Sequence, residues 1–341
     1  MAWERVRGHE RLIEAFRRAV RRGRLAHAYL FVGPPGVGKR LFATELAKAL
    51  LCEQPKKPLT ACDHCPACIQ VEAGTHPDFR AVGLPPEKHE FPIELMREVC
   101  DLFLLKSARG RGKVVVIDDA DDLNEESANC FLKTLEEPPP RSVLILIGQS
   151  PERQLPTIVS RCQVVRFAPL PPALMNEILG REGVDDAAQR ERLVRLSGGS
   201  PGMALGLNDP ALWEFRRILL AGLTTERVDS VGMSRKVMDF VEQAGKESAA
   251  QRQRAQLVLR LLIDFLNDAL SVSVGGPLRH SSAEDQPLAQ ALVKRLDPDR
   301  LVRVLERCTE ADEQIDRRVQ LVLTLEAVLD ALGRQVSGRN G

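Results

Sequence analysis

The stretch GPPGVGKR, residues 33–40, carries residue types that could hold the phosphates of a nucleotide. In a phosphate-binding loop of the pattern G-x-x-x-x-G-K-[ST], backbone N–H groups surround the phosphates, the lysine reaches the outer phosphates and the hydroxyl binds Mg²⁺. Gly33, Gly38 and Lys39 fit this pattern, but Arg40 stands where the hydroxyl belongs. Because a guanidinium group has no lone pair for a metal, the sequence predicts that Mg²⁺-dependent hydrolysis is impaired.

Two acidic residues could complete such a site from a neighbouring strand. Asp118 and Asp119 follow the apolar run VVVI in KVVVIDDAD, residues 113–121. Asp118 is placed to bind Mg²⁺; Asp119 stands where many such ATPases use the longer glutamate to activate water. Two interpretations stay open: the site binds ATP or ADP without efficient hydrolysis, or the loop serves only the fold and holds no ligand. The candidate residues of these two segments are Gly33, Pro34, Pro35, Gly36, Val37, Gly38, Lys39, Arg40, Asp118 and Asp119.

Four cysteines form a second candidate site. They follow the spacing C-x9-C-x2-C-x2-C and are Cys52, Cys62, Cys65 and Cys68. Zinc prefers four tetrahedral ligands, and cysteines two residues apart can turn back onto one ion. The spacing therefore predicts a closed, structural Zn²⁺ site with His64 outside the ligand set; the alternative is four reduced thiols without metal. The remaining cysteines are scattered and are predicted to be buried apolar residues: Cys100, Cys130, Cys162 and Cys308.

The surrounding sequence predicts the elements that must position these residues. The apolar run in HAYLFVG, residues 27–33, is a strand that leads into the glycine loop, and residues 40–52 have helical periodicity. Further buried strands are predicted within residues 113–121, 142–148 and 164–167. Strands that alternate with helices predict an α/β fold with a parallel sheet and helices on both faces. From APLPP, residues 168–172, the pattern is helical.

Composition excludes several other classes of protein. The 341 residues are 44% hydrophobic and 28% charged, as in a globular protein of two or three domains. A formal charge of +1, without clusters of basic and aromatic residues, disfavours the hypothesis that the cysteine module binds nucleic acid directly. There is no apolar run of about 18 residues and no apolar core of a signal peptide, so the sequence predicts no membrane association and a cytoplasmic location.

Several stretches together resemble the clamp-loader branch of the AAA+ family. They are AHAYLFVGPPGVGK, the four cysteines, AGTHPDF, NCFLKTLEEPP, SRC and SGGSPGMAL, within residues 25–205, and the tail stretch RRVQLVLTLEAVL. No single stretch is specific, but the combination is. The resemblance implies an AAA+ domain over residues 1–167 with a zinc module at 52–68, a small helical lid at 168–208, and an all-α collar at 209–341 through which five subunits form a ring.

The resemblance also implies a role in DNA replication. The chain would be a subunit of the bacterial DNA polymerase III clamp loader, beside gamma/tau motor subunits and a delta subunit, and would help to load the sliding clamp onto primed DNA. Motor subunits have G-K-[ST], an Asp-Glu pair and a lid arginine, whereas this chain has KR at residues 39–40, DD at 118–119 and Gly202. Gln149 could still serve as the polar phosphate sensor. These departures favour a structural subunit that does not hydrolyse ATP efficiently over an active gamma/tau-like motor.

Arg161, in the stretch SRC, is a candidate catalytic residue of a different kind. It follows residues 155–159, which lead to the last predicted strand, so it could lie at the rim of the domain. In clamp loaders the matching arginine acts in trans on the γ-phosphate of a neighbouring subunit, where its planar guanidinium stabilises transition-state charge. The resemblance thus implies a trans arginine finger. The alternative is a surface arginine paired with an acid, a contact that contributes little.

Overall fold

The computed structural model describes residues 3–85, 88–225, 228–246, 248–281 and 283–336. The chain folds as two compact units, Met1–Leu205 and Gly206–Gly341. The predicted boundary after residue 208 lies close to this division. The further boundary between residues 167 and 168 stays a prediction, since the helices that follow it belong to the same unit as the sheet.

The first unit contains a five-stranded parallel sheet. Its strand order is β2-β3-β4-β1-β5, which confirms the predicted α/β class with a parallel sheet. Sequence analysis missed β2, a four-residue edge strand whose two central residues are exposed. The strands are β1 Ala28–Val32, β2 Phe79–Val82, β3 Val114–Ile117, β4 Val143–Gly148 and β5 Gln163–Arg166.

Helices pack on both faces of this sheet, as predicted. Because successive strand residues point to opposite faces, Phe31 packs with Phe42 of α2 on one face, whereas Leu30 belongs to the cluster with Phe131 of α5 on the other. The helices of this unit are α1 Glu10–Arg21, α2 Lys39–Leu51, α3 Pro66–Glu72, α4 Ile93–Leu104, α5 Glu125–Glu136, α6 Pro156–Val159, α7 Pro172–Arg181, α8 Ala187–Leu196 and α9 Pro201–Gly206. Short 3-10 turns occur at Ala120–Asp122 and Pro151–Arg153.

The second unit is all-α in its described residues. Its helices are α10 Pro210–Leu223, α11 Ser230–Glu242, α12 Ser248–Ser273, α13 Gln286–Val293, α14 Pro298–Asp316 and α15 Leu321–Val336, with a 3-10 turn at Ala283–Asp285. Their core is made mainly of leucine and valine. Among the scattered cysteines, Cys100 and Cys308 are buried as predicted, whereas Cys130 and Cys162 are half-buried. Within the described residues, no helix is both long and apolar enough to cross a membrane.

Candidate phosphate-loop and metal sites

The glycine loop lies between β1 and α2, at the carboxyl end of β1. Gly33, Gly36 and Gly38 have positive φ angles of 146°, 72° and 106°. A Cβ at Gly33 would collide with the carbonyl oxygen of Phe167, so this position requires glycine. The loop leads directly into the amino terminus of α2 at Lys39, an arrangement that favours phosphate binding.

Lys39 already has partners within this loop. Its Nζ donates hydrogen bonds to the carbonyl oxygens of Gly33, at 2.5 Å, and Pro34, at 2.8 Å. The side chain is buried, and burial lowers the pKa of Lys39 while Asp118 and Asp121 act in the opposite direction. These two bonds use two of the three N–H donors of the ammonium group, so one donor remains for a phosphate oxygen.

Arg40 and Asp118 meet where a phosphate loop holds its metal. Nη1 of Arg40 lies 3.5 Å from Oδ2 of Asp118, and the guanidinium is largely exposed while the carboxylate is not. Burial raises the pKa of Asp118, as does the neighbouring Asp119, whereas Arg40 lowers it. The arginine thus supplies a fixed positive charge to the carboxylate that a Mg²⁺ ion would otherwise neutralise.

The turns after β3 and β4 lie at the carboxyl ends of the parallel strands, as the glycine loop does. The carbonyl oxygen of Gln149 accepts a hydrogen bond from the N–H of Gly33 at 2.9 Å, and the backbone N–H of Gln149 donates to Oδ2 of Asp121 at 2.7 Å. Asp119 has a left-handed φ of 55°, and its Oδ2 accepts the N–H of Leu84, beyond β2, at 3.4 Å. Since β2 lies on the side of β3 away from β1, this contact directs the Asp119 carboxylate away from the loop.

Helix α9 packs directly against the glycine loop. The N–H of Gly202 donates to the carbonyl oxygen of Gly36 at 3.0 Å, and Oγ of Ser200 donates to that of Pro35 at 2.8 Å. A Cβ at Gly202 would lie 2.8 Å from Cα of Gly36. Residue 202 therefore has no room for a side chain in this arrangement of the loop and α9.

Replacing Gly202 with alanine is expected to destabilise the protein by about 1–3 kcal/mol, as overpacking does at tight contacts. The added methyl group meets loop backbone, which cannot move aside like a flexible side chain. Gly180→Ala in α7 is the matched control, because nothing lies within 4 Å of its added Cβ. Denaturant unfolding would measure both; equal stability of the two variants would contradict the close packing.

A cavity of about 410 Å³ lies beside the loop and was not predicted from the sequence. Val6 and His9 line it together with Val37 of the loop, Ile178 of α7 and Leu205 of α9. Nε2 of His9 lies 3.0 Å from the carbonyl oxygen of Val37. The volume is typical of small-molecule sites. These residues come from separate segments and follow no motif, so no local pattern could have indicated them.

The four predicted metal ligands come together. Their Sγ atoms all lie within 4.8 Å of one another, and those of Cys62 and Cys68 are 4.0 Å apart. Four sulfurs around one zinc at about 2.3 Å would be about 3.8 Å apart, so the residues present fit a tetrahedral Zn²⁺. His64 is exposed and its Nδ1 bonds the carbonyl oxygen of Cys62 at 2.7 Å, outside the cluster.

Backbone N–H groups donate to sulfur atoms of the cluster. The N–H of Cys62 donates to Sγ of Cys52, and that of Cys65 to Sγ of Cys62, both at 3.3 Å. Burial opposes ionisation and raises the pKa of Cys52 and of Cys68. Burial also opposes ionisation of Cys65, but hydrogen bonds, first those from the backbone N–H groups of Cys68 and Glu53, outweigh it and lower the pKa of this thiol to about 6. A cation at the centre of the cluster would stabilise the deprotonated form of all four cysteines, which is the form that binds zinc.

The cysteine module is attached to the body of the first unit by buried polar contacts. Nε1 of Trp3 donates to the carbonyl oxygen of Leu59 at 2.9 Å. Nζ of Lys48, on α2, lies 3.0 Å from Oδ1 of Asp63, between Cys62 and Cys65, and 3.1 Å from Oε2 of Glu72, the last residue of α3. Burial alone would lower the pKa of Lys48, but Asp63, Glu45 and Glu72 outweigh it and raise that pKa. Folding of the module is thus coupled to α2 and the amino-terminal segment.

Arg161 lies at the amino-terminal ends of the parallel strands, whereas the glycine loop lies at their carboxyl ends. It precedes β5, whose first residue Gln163 pairs beside Tyr29 near the start of the parallel strand β1. Its guanidinium contacts Oε1 of Glu136 through Nε, at 3.0 Å, and through Nη2, at 2.5 Å. Glu136 is therefore the acidic partner expected if Arg161 is only a surface arginine paired with an acid. The placement also excludes contact with the chain's own phosphate loop, which follows the other end of β1.

The parallel sheet, the glycine loop after β1, the acidic turn after β3 and the helical segment packed on the loop define an α/β domain of the AAA+ type. A family model described as "DNA polymerase III, delta subunit" matches residues 8–171. Curated relatives extend the similarity into the second unit. The chain belongs to the family of DNA polymerase III delta' subunits.

Delta' subunits of two other bacteria support this assignment. The chain is 44% identical over 207 residues to DNA polymerase III subunit delta' of Pseudomonas aeruginosa, an alignment that spans 59% of this chain and 62% of the relative. It is 32% identical to that of Escherichia coli K12 over 86% of this chain and 84% of the relative. A gamma/tau subunit of Mycobacterium tuberculosis H37Rv is 34% identical, but over only 36% of its length. A solved gamma subunit-related protein from Thermotoga maritima aligns over 95% of this chain and 99% of its own, with a TM-score of 0.45 and 18% identity.

Proposed function

We propose that this chain is a structural subunit of a DNA polymerase III clamp loader that does not hydrolyse ATP efficiently. The contact between Arg40 and Asp118 carries this proposal, because a guanidinium occupies the surroundings in which a motor subunit needs Mg²⁺. The direction of Asp119 and the absence of space at Gly202 weaken the same reaction independently. These features disfavour the alternative of an active gamma/tau-like motor.

The steady-state ATPase rate of the isolated chain tests this proposal. We expect a rate near background with Mg²⁺-ATP, unchanged by Lys39→Ala. Turnover at the rate of a motor subunit, abolished by Lys39→Ala, would favour the alternative. Equilibrium dialysis with labelled ATP and ADP decides separately whether the loop and its cavity bind nucleotide.

Arg40→Thr is expected not to restore hydrolysis, although threonine supplies the hydroxyl of an intact phosphate loop. The reason is that an arginine at the transferred phosphate can contribute on the order of 10³-fold, and residue 202 is a glycine; Asp119 would also still be one methylene shorter than the glutamate that activates water. The ATPase rate of Arg40→Thr, measured beside wild type and Lys39→Ala, checks this. A gain to motor rates from that single change would contradict the importance given to the other two positions.

The partners follow from the family. We infer that the second, all-α unit assembles with gamma/tau and delta subunits into a five-subunit ring, and that sliding clamp and primed DNA are reached through the complex. Affinity purification of the tagged chain from its own cells, followed by identification of the co-eluting proteins, tests this. Recovery of the chain without any DNA polymerase III subunit would count against it.

Two local functions complete the proposal. The cysteine cluster binds one structural Zn²⁺, supported by the tetrahedral fit of its sulfur atoms. Arg161 acts as an arginine finger on a nucleotide held by the neighbouring subunit. Its position at the amino-terminal ends of the strands, away from its own glycine loop, supports this role. The subunit would thus be inert itself but would assist a neighbour.

A further inference from the structure

We propose that Glu136 is a positioning residue for Arg161, holding its guanidinium ready for the phosphate of a nucleotide bound to the neighbouring subunit. The inference rests on the proposed trans role of Arg161. It joins two stretches singled out in the sequence, LEEPP and SRC, which the fold brings into contact.

Contacts on two sides orient the guanidinium group. Oε1 of Glu136 accepts hydrogen bonds from Nε, at 3.0 Å, and Nη2, at 2.5 Å. Nη1 donates to the carbonyl oxygen of Thr157, at 3.1 Å, and lies 3.4 Å from Oγ of Ser160. Arginine has five N–H donors, so these contacts fix the plane of the group and leave one N–H of Nη2 for an incoming phosphate oxygen.

Both partners sit on anchored backbone. Glu136 is the last residue of α5, next to the buried Leu135, whose carbonyl oxygen lies 2.9 Å from Nε2 of His27. The N–H of Arg161 donates to the carbonyl oxygen of Ile158 at 3.1 Å, in the turn that closes α6. Because both backbone segments are held in place, the ion pair and the contacts of Nη1 together determine where the guanidinium lies.

Glu136 lies at the carboxyl end of α5, where a negative charge is unfavourable. The carboxyl end of a helix carries partial negative charge, so an acidic residue in its last turn is unfavourable. α5 nevertheless ends with Glu136 and is followed by Glu137. Such local conflicts are expected at functional sites rather than at purely structural ones. Among the residues that the structure describes, Arg161 pairs with Glu136 and not with Glu137.

Holding an arginine in place reduces the conformational freedom that it must lose in the transition state. Arginine side chains have large rotamer entropy, and correct orientation of a reacting group strongly affects rate. The negative charge of Glu136 itself opposes an approaching phosphate, so its contribution lies in the acceptor oxygen. Glutamine keeps that oxygen and removes the charge, whereas alanine removes both.

The test is the DNA- and clamp-stimulated ATPase of the reconstituted clamp-loader complex. Glu136→Ala is expected to lower kcat at the affected site by up to about fivefold, the rate equivalent of the ~1 kcal/mol that an exposed ion pair contributes, with little change in KM for ATP, because positioning acts on the transition state. Glu136→Gln should keep nearly wild-type kcat, and Glu137→Ala is the matched control expected to have no effect. Zinc content, melting temperature and complex assembly should be equal for all three, since an exposed ion pair contributes little to folding.

A double-mutant cycle with Arg161→Ala identifies the route of the effect. If Glu136 acts through Arg161, the double variant should have the same rate as Arg161→Ala alone. Glu136→Ala with wild-type kcat, beside an impaired Arg161→Ala, would overturn this inference and leave the proposed finger intact. An Arg161→Ala complex with full activity would overturn both.

Discussion

Replacing Arg161 with alanine is expected to slow hydrolysis at the neighbouring subunit on the order of 10³-fold, the contribution typical of an arginine finger. The side chain lies at the amino-terminal ends of the strands, away from the glycine loop of the same chain, so a nucleotide that it contacts would be held by another chain. Because the complex is proposed to hold further ATP sites, its total DNA- and clamp-stimulated ATPase should fall only in part. Single-turnover measurements on the assembled complex would separate the affected site from the others.

The stability of the chain should hardly change in this variant. The pair with Glu136 is partly exposed, with 34% of the arginine side chain and 54% of the glutamate side chain accessible, and such pairs contribute at most about 1 kcal/mol. Arg217→Ala is a suitable control, since it removes another exposed arginine paired with a glutamate, Glu214, in the second unit. Loss of assembly in Arg161→Ala would instead indicate a structural contact between subunits.

Replacing Cys65 with serine is expected to abolish tight zinc binding and to unfold the segment from Cys52 to Cys68. Structural zinc sites contribute apparent binding free energies of about 10–16 kcal/mol, and three thiolates cannot close the tetrahedral shell. Elemental analysis should find one zinc per wild-type chain and almost none in the variant. Cys130→Ser, a half-buried thiol outside the cluster, should retain the metal.

Loss of the module should also be visible at Trp3. Its Nε1 donates to the carbonyl oxygen of Leu59 inside the module, so unfolding of the loop should expose the indole and shift its fluorescence to longer wavelength. The sheet is expected to persist, since its two apolar clusters consist mostly of residues outside the module. Metal-free wild-type protein, prepared without chelator, would contradict the zinc proposal.

The sequence by itself determined the features that depend on local spacing. A glycine loop between an apolar run and a segment of helical periodicity, and cysteines at C-x2-C-x2-C, constrain nearby backbone, so they indicated the glycine loop and the cysteine cluster. The alternation of buried strands and helices indicated the parallel sheet for the same reason. The strand β2 was not predicted, because an edge strand whose central residues are exposed has too few apolar residues to give a clear strand pattern.

Only the tertiary structure decided which distant residues meet. Asp118 reaches Arg40 because β3 and β1 are separated by a single strand, an order that no local pattern encodes. The packing of Gly202 on Gly36 and the pairing of Glu136 with Arg161 likewise depend on how helices and turns are placed around the sheet. The sequence therefore showed which groups the protein retains and which it lacks. The arrangement in space showed that Arg40 contacts Asp118 and that no side chain fits at residue 202. It also showed that Arg161 lies at the amino-terminal ends of the strands, with its guanidinium held by Glu136.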